Sequence, residues 1–198
     1  MADETIRIEH EWSTAEIIKI SNLPSLDCQS ALNEFKRAIP FFKEPKDTGS
    51  ATTENHSLKK QNSAIFLNEI VDPDYFSVSS IGYLVLKILK SIDEREFTPN
   101  SAMNVMRVFS SISILLSAYR DGDYYLSHRD QSGLTLLLWI SDDTEFTGGD
   151  LILTDFDYRI KPLKNTAILF PSYYRHEVTP IKSDNKDLIR YTISGFLT

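Results

Sequence analysis

The chain has 198 residues, 41% of them hydrophobic and 25% charged, which is typical of a globular protein with a hydrophobic core and predicts one domain over residues 1–198. A formal net charge of −7 argues against nucleic acid as a partner, because nucleic-acid-binding proteins usually carry a basic face. One cysteine excludes an intramolecular disulfide, and no apolar run approaches the length of a membrane span, so we expect a cytoplasmic, intracellular protein without a membrane partner.

Residues 1–100 are predicted to form a mainly helical layer that supports the rest of the chain. Residues 15–20 fit a short strand. Apolar side chains then recur at steps of three and four over residues 28–39, which predicts an amphipathic helix. Pro40 ends this helix, since a proline ring cannot continue the helical hydrogen-bond ladder.

A polar segment and a second helix complete this layer. The segment Lys43–Asn62 is rich in Pro, Gly, Ser, Thr and Lys, which is typical of a loop, and it is a candidate lid over a binding site. Asp72 as N-cap and Pro73 at the first helical position predict the start of a helix that ends near Ser91.

Residues 101–198 change character and predict a β core. Short runs rich in β-branched and aromatic residues alternate with turn signals such as the glycine pair 148–149. The candidate strands are residues 105–118, 124–128, 134–140, 150–153, 166–170 and 190–197. The first of these runs is long enough to begin as a helix. Short strands at regular spacing are typical of an antiparallel sandwich or barrel.

Three side chains in this core have the chemistry of metal ligands. His128 and Asp130 are two residues apart, so on an extended chain they point to the same face. His176 follows the strand at 166–170 and can reach the same ion if the two strands are neighbours. Two imidazoles and one carboxylate form the facial ligand set of non-haem iron oxygenases. Taken singly, a His-x-Asp pair is more often a surface ion pair, and a lone histidine an ordinary surface residue.

The last strand, residues 190–197, predicts a polar pocket rather than a dry core. With a period of two, one of its faces carries Arg190, Thr192, Ser194 and Phe196. An arginine in such a pocket can bind a carboxylate through two parallel hydrogen bonds. For Arg190 alone, the alternative is a surface salt bridge.

The series of motifs from Tyr119 to Phe196 resembles the prolyl 4-hydroxylase-like branch of the Fe(II)/2-oxoglutarate dioxygenases. The matching pieces, in chain order, are the run from Tyr119 to Asp130, the Thr-containing strand 134–140, the glycine pair 148–149, Pro162, Phe170, the stretch 176–180 and Arg190. Each piece is weak by itself, but their order and most of their spacings agree. Residues 1–100 contain no motif that matches the family.

This resemblance implies an α+β fold that is mainly β: a double-stranded β-helix (a cupin-like jelly roll) with N-terminal supporting helices. It implies a hydroxylase that uses Fe(II), 2-oxoglutarate and O2, with ascorbate as a candidate reductant, and that releases succinate and CO2. The implied substrate is a prolyl residue of a peptide or protein, or an amino acid. The implied metal ligands are His128, Asp130 and His176; the implied 2-oxoglutarate contacts are Arg190, Tyr119, Thr135 and Trp139; and the candidates for the substrate pocket are Tyr125 and Arg120.

Three departures from the family pattern bear on these roles. The separation of His176 and Arg190 is longer than in the family, with extra residues over Lys182–Asp187 that we interpret as a hairpin extension. Trp139 stands where the family commonly has Tyr, and an indole donates a hydrogen bond but accepts none. Phe196 stands where the family often has Trp. We therefore expect contacts to 2-oxoglutarate that differ in detail from those of the family.

Two other functions stay open from the sequence. The first is a catalytically silent jelly-roll module that binds a ligand without turnover. The second is a cupin-like dioxygenase with three histidine ligands, which would not need Arg190. A dioxygenase that repairs alkylated nucleic acid would usually carry a second arginine on the last strand and a basic surface, and the sequence shows neither.

Overall fold

The structure is a computed structural model that describes residues 5–48, 58–141 and 145–198. Within these ranges the helices are α1 (Ser25–Ala38) and α2 (Ser80–Lys90). The strands are β1 (Arg7–Glu11), β2 (Ile17–Ser21), β3 (Ser63–Phe66), β4 (Ile112–Tyr119), β5 (Tyr125–His128), β6 (Leu134–Trp139), β7 (Thr147–Gly148), β8 (Leu151–Leu153), β9 (Tyr158–Ile160), β10 (Thr166–Pro171), β11 (His176–Val178), β12 (Ile181–Lys182) and β13 (Arg190–Leu197). None of the helices in these ranges is both long enough and apolar enough to cross a membrane.

Two antiparallel sheets form the body of the molecule. The large sheet has the order β1-β2-β10-β6-β13-β4-β3, and the small sheet has the order β5-β11-β8-β9. A buried apolar cluster joins them, with Leu137 and Ile168 from the large sheet and Leu151 and Leu153 from the small sheet. This arrangement confirms the predicted antiparallel sandwich. Strands β12 and β7 form a separate two-stranded antiparallel sheet.

The two faces of the large sheet have different partners. On the outer face, Leu116, Leu138 and Ile193 belong to the main hydrophobic core, which also contains the buried side chains of α1 and α2. Phe35 of α1 lies edge-on to Tyr191, with 5.1 Å between the ring centroids. Side chains that alternate with these point to the opposite face, toward the small sheet. The helices therefore support the sheet from behind, as the resemblance implies, and leave its inner face for the small sheet.

The predictions for the N-terminal elements are largely confirmed. Helix α1 ends at Ala38, and Pro40 lies in the 3-10 turn that follows. Strand β2 lies close to the predicted residues 15–20. Strand β1 was not predicted, because most of its side chains are polar, and its position at the edge of the large sheet leaves them partly exposed.

The predicted start of the second helix is wrong. Asp72 caps only the 3-10 turn Pro73–Tyr75. Helix α2 begins after Ser79, whose hydroxyl accepts a hydrogen bond from the Gly82 N–H at 3.1 Å. That hydroxyl also donates to Glu34 on α1, at 2.7 Å, so a tertiary contact holds the cap in place. A contact between two separate helices cannot be predicted from a local sequence pattern.

The predicted run 105–118 divides into two parts. Its beginning belongs to the 3-10 segment Ala102–Arg107, and its end forms most of β4. Strands β3, β9 and β11 were not predicted, because runs of three or four residues are too short to show a period.

The predicted loop Lys43–Asn62 is described only in part, since residues 49–57 lie outside the described ranges. Its two ends are tied to strands by isolated bridges, Lys43 to Ala64 and Lys60 to Tyr125. The role of this segment as a lid stays a prediction, as does the assignment of residues 1–198 to one domain.

Candidate metal centre and its cavity

The structure brings the three predicted metal ligands together at the edge of the small sheet. Strand β11 pairs with β5, and in their register His176 lies directly opposite His128. Asp130 follows two residues after the end of β5. One ligand atom from each of the three side chains lies within 4.8 Å of the others. A single cation can therefore contact all three side chains.

Both imidazoles are oriented by backbone carbonyl groups. The Nδ1 atom of His128 lies 2.8 Å from the Leu126 oxygen, and that of His176 lies 3.0 Å from the Tyr174 oxygen. A carbonyl only accepts, so Nδ1 carries the proton and Nε2 is left with its lone pair. The two Nε2 atoms lie 3.7 Å and 3.5 Å from the Asp130 carboxylate oxygens. This is the tautomer that metal-binding histidines use.

The electrostatics of the cluster favour a neutral imidazole at His128. Burial, and next the neighbouring His176, lower the pKa of His128 to about 3. A neutral ring is the form that ligates a metal, because the protonated ring has no free lone pair.

A chain of buried hydroxyl groups holds the Asp130 carboxylate. The Thr135 hydroxyl donates to Asp130 Oδ2 at 2.6 Å and lies 2.8 Å from the Ser172 hydroxyl. Ser132 contacts the same Ser172 hydroxyl at 2.6 Å. Thr135 was predicted to face the 2-oxoglutarate pocket; instead its side chain is fully buried behind the metal ligand. Ser172 was not predicted at all, since a single buried serine gives no periodic signal.

A cavity of about 430 Å³ opens between the two sheets, and the metal ligands form part of its wall. The large sheet contributes Tyr119 and Trp139, which were predicted to face the cosubstrate. The face of β13 that was predicted to be polar lines the same cavity with Arg190, Thr192, Ser194 and Phe196. The wall also includes Lys60, which no sequence pattern indicated.

Arg190 is a buried cation that the protein leaves partly unpaired. Only 2% of the residue is exposed, and burial lowers the pKa of its guanidinium to about 10, so it stays protonated at neutral pH. Its Nη1 donates to the Gly149 carbonyl, and its guanidinium lies 4.7 Å from the centre of the Tyr119 ring. Within the described residues neither its Nε nor the Thr192 hydroxyl has a hydrogen-bond partner. Buried polar groups are usually satisfied, so two orphaned donors side by side on one strand indicate a place for an anionic ligand.

The glycine pair 148–149 is required by this arrangement as well as by the turn. Gly149 has a φ of +67°, and a Cβ there would overlap the Nη1 atom of Arg190. Glycine therefore allows the guanidinium to lie against the backbone carbonyl of the turn. The glycine pair was predicted as a turn signal and as a piece of the family pattern, without a role beside Arg190.

Tyr125 and Arg120, the two candidates for the substrate pocket, lie in different places. Tyr125 lines the cavity and its ring stacks on His128, with 3.7 Å between centroids and 16° between planes. Arg120 is exposed and is not among the residues that line the cavity; its backbone N–H donates to Asp123 at 2.8 Å. It follows directly after β4, which ends at Tyr119, and its assignment to the substrate pocket stays a prediction.

The extra residues Lys182–Asp187 pack on that same turn rather than in the cavity. The Ser183 N–H donates to Asp121 at 2.9 Å, and Lys186 forms an ion pair with the same carboxylate. The extension therefore lengthens the route from His176 to Arg190 without displacing the arginine from the cavity wall.

The second half of the chain is similar to known proteins. A family model described as the 2OG-Fe(II) oxygenase superfamily matches residues 114–198. A PKHD-type hydroxylase from Idiomarina loihiensis is 26% identical over 94 residues, which cover 42% of this chain and 42% of the relative. The region that the family model matches, residues 114–198, contains the metal cluster and Arg190 and lies entirely within the predicted β core.

Solved structures resemble the chain over almost its whole length. A prolyl-4-hydroxylase from Pseudomonas putida superposes with a TM-score of 0.59 at 15% identity, covering 93% of each chain. A prolyl hydroxylase from Trichoplax adhaerens, in complex with a peptide fragment of the hypoxia inducible factor oxygen degradation domain, gives a TM-score of 0.63 at 15% identity, covering 93% of this chain and 84% of the other. These matches confirm the jelly roll, and together with the family model they confirm the predicted resemblance.

Proposed function

We propose that this chain, a 2OG-Fe(II) oxygenase of the prolyl 4-hydroxylase-like branch, hydroxylates an unactivated C–H bond in a prolyl residue of a peptide or protein, or in an amino-acid-like substrate. One observation carries the proposal. The same cavity holds a His-Asp-His cluster and a buried arginine whose Nε has no partner among the described residues. The first fits Fe(II), and the second fits the distal carboxylate of 2-oxoglutarate.

In this proposal Fe(II) is held by His128, Asp130 and His176. Two neutral imidazoles and one carboxylate suit iron and leave three coordination positions open. The backbone carbonyls behind both histidines and the Thr135 hydroxyl behind Asp130 fix the directions of the donor atoms. Such partners usually raise metal affinity by orienting the ligands before the metal arrives.

Arg190 binds the distal carboxylate of 2-oxoglutarate in the proposed complex. The free Nε and the hydroxyl of Thr192 supply donors, and a guanidinium fork matches a carboxylate. Tyr119 stands opposite Arg190 in the β4–β13 register and packs its ring against the guanidinium. Trp139, opposite Thr192 in β6, closes the pocket as a wall.

When bound, the iron and 2-oxoglutarate supply the oxidation itself: O2 and 2-oxoglutarate are converted into succinate and CO2 while the C–H bond of the substrate becomes C–OH. The chain binds and orients the participants. Leu137, Leu151 and Val178 give the cavity an apolar surface next to the ligands, which keeps bulk water from the reacting atoms.

The choice of a prolyl substrate is supported by the names of the relatives. The structures of like fold are prolyl hydroxylases, and one of them holds a peptide. The cavity reaches from the metal ligands to Phe66 and Phe196, whose rings lie 6.3 Å apart. Phe66 is 39% exposed, so this side of the cavity is open to a substrate from outside.

An anaerobic titration tests the cofactor chemistry. The protein, loaded with Fe(II), is titrated with 2-oxoglutarate, and the weak visible charge-transfer band of the chelate is recorded. We expect a band in the wild type and in His10→Ala, a histidine paired with Glu96 and distant in sequence from the cluster, and no band in His176→Ala.

Turnover is then followed as succinate formation with prolyl peptides as substrates. Succinate formation that rises with a prolyl peptide supports the proposal. Iron binding without a band or turnover would favour a silent module. A band that survives His176→Ala would show that the metal is held elsewhere.

A further inference from the structure

Lys60 is a second buried cation in the cavity. Only 2% of the residue is exposed, and it lies in the cavity wall together with the three metal ligands. Its backbone pairs with Tyr125, while Gln61 N–H donates to the Tyr124 carbonyl at 3.0 Å and Leu126 N–H donates to the Lys59 carbonyl at 2.8 Å. The segment is thus attached to β5, the strand that carries His128.

The ammonium group of Lys60 faces an aromatic ring and, among the described residues, no carboxylate. Its Nζ lies 5.6 Å from the centre of the Tyr125 ring, which in turn stacks on His128. No ion pair joins Lys60 to any of the described residues. A ring face compensates only part of the cost of removing an ammonium group from water. Burial alone accordingly lowers the pKa of Lys60, to about 8.

None of the three carboxylates in the described part of the cavity wall forms an ion pair with Lys60. Glu69 forms an ion pair with Lys43, and Asp130 belongs to the metal cluster. Asp47 is exposed. Lys60 is therefore a cation that the protein itself does not neutralise within the described residues, although it lies beside the metal ligands.

Arg190 and Lys60, the two buried cations in the described part of the cavity wall, lie on different sheets. Arg190 belongs to β13 of the large sheet, whereas Lys60 is attached to the small sheet at β5. In the proposed function, 2-oxoglutarate uses one carboxylate at the metal and the other at Arg190. Lys60, which no described carboxylate neutralises, is then the buried cation left for a further anion.

We infer that Lys60 binds a carboxylate of the primary substrate, so that the substrate class is one with a carboxylate near the C–H bond that is oxidised. This inference rests on the proposed function, because it assigns Arg190 to the cosubstrate. The carboxylate can be the free C-terminal group of an amino acid or peptide, or the side chain of an acidic residue beside the reacting one. Both offer the same charge to the same ammonium group.

Isothermal calorimetry of the full chain, loaded with Fe(II) and 2-oxoglutarate without oxygen, tests this. The probes are N-acetyl-proline against N-acetyl-prolinamide, and N-acetyl-Asp-prolinamide against N-acetyl-Asn-prolinamide. In the wild type we expect the acid of at least one pair to bind roughly tenfold or more tightly than its neutral partner, as a charge-assisted hydrogen bond in a buried place requires. The pair that shows the difference identifies the source of the carboxylate.

Three variants assign the effect to this side chain. In Lys60→Met the preference for the acid should disappear, and in Lys60→Arg, which keeps the charge, it should persist. Lys59→Met removes a neighbouring charge that does not line the cavity and should leave the preference unchanged. The affinity for 2-oxoglutarate, measured separately by its chelate band, should be the same in all four proteins, which also shows that the variants fold.

Three results would overturn the inference: no acid that binds better than its neutral partner in the wild type, a preference that survives in Lys60→Met, or a loss of 2-oxoglutarate affinity in Lys60→Met that equals the loss for the acid. Calorimetry needs no chelate band, so absence of that band in the wild type would contradict the proposed function separately from the role of Lys60.

Discussion

The protein supports two sets of polar side chains in the cavity differently: the metal ligands on and after β5 and β11 of the small sheet, and the donors of β13 in the large sheet. On the small sheet and the residues that follow it, both histidines and Asp130 are fixed by hydrogen bonds from the protein. On the large sheet, the Nε of Arg190 and the hydroxyl of Thr192 have no partner among the described residues. The metal ligands are thus oriented before a metal binds, whereas the buried donors of β13 still need acceptors from a ligand.

This difference follows from the ligand that each set of side chains is proposed to bind. A metal needs three donor atoms in fixed directions, and prior hydrogen bonds supply those directions. A dicarboxylate brings its own acceptors, and unpaired donors are what it needs. Variants of the metal ligands and their support should therefore affect the binding of iron, and variants around Arg190 the binding of 2-oxoglutarate.

The largest effect should come from Asp130→Ala. It removes the only carboxylate of the cluster, and we expect Fe(II) affinity to fall by more than about 100-fold, with loss of turnover, while the fold is kept. Iron titration under anaerobic conditions measures this, with Asp74→Ala, an exposed carboxylate in a remote turn, as the control. Unchanged iron affinity and turnover in Asp130→Ala would mean that the metal assignment is wrong.

Arg190→Met should act on the other sheet alone. The variant removes a buried cation and leaves a carboxylate of 2-oxoglutarate without its partner, so we expect the Kd of 2-oxoglutarate to rise about 100-fold. Iron affinity should stay within about twofold of the wild type, since no metal ligand is altered. Arg95→Met, at an exposed ion pair with Asp93, is the control. Equal losses of iron and 2-oxoglutarate would remove the distinction between the two sheets.

Thr135→Val tests whether the metal ligands depend on the hydrogen bond that β6 of the large sheet donates to Asp130. Valine has the shape of threonine without the hydroxyl that donates to Asp130, and we expect iron affinity to fall about tenfold. Thr166→Val, which loses a hydroxyl bonded to the Leu163 carbonyl, is the matched control. If both variants bind iron like the wild type, the buried hydroxyl chain does not orient the ligand.

Gly149→Ala should give the smallest effect, and it tests whether the glycine turn positions Arg190 of the large sheet. The new Cβ displaces the Arg190 guanidinium, and we expect about a fivefold weaker 2-oxoglutarate affinity, equivalent to about 1 kcal/mol. Gly122→Ala is a close control, because Gly122 also has a positive φ but no atom within 4 Å of the added Cβ. Both variants should lower the Tm through backbone strain, and only Gly149→Ala should weaken 2-oxoglutarate. Equal 2-oxoglutarate affinities in both would mean that the turn does not position the arginine.

The sequence predicted the elements whose information is local. Strand β13 has the predicted bounds, because eight alternating residues show a clear period, and its polar face does line the cavity. His128 and Asp130 were selected by their spacing on one strand, and His176 by the motif series that ends at Arg190. The signals for β13 and for His128 and Asp130 lie within short stretches of chain, whereas the motif series that selects His176 extends from Tyr119 to Phe196.

What the sequence did not predict depends on contacts between distant segments. Ser172 and Thr135 act together only because β10 lies beside β6. Lys60 reaches the cavity because its segment is attached to β5, far along the chain. The cap of α2 was misplaced for the same reason, since Glu34 on another helix supports it.

The cross-strand pair of His128 and His176 has a thermodynamic consequence. A shift of one residue between β5 and β11 would send one imidazole to the opposite face, so a metal bound by both selects a single alignment of segments that are 48 positions apart in the sequence. Metal that binds only the folded chain must then oppose unfolding by mass action. At a free concentration of about 100 times its Kd it adds about 2.7 kcal/mol to the free energy of unfolding, so the melting temperature should report occupancy of the centre even where no reaction is observed.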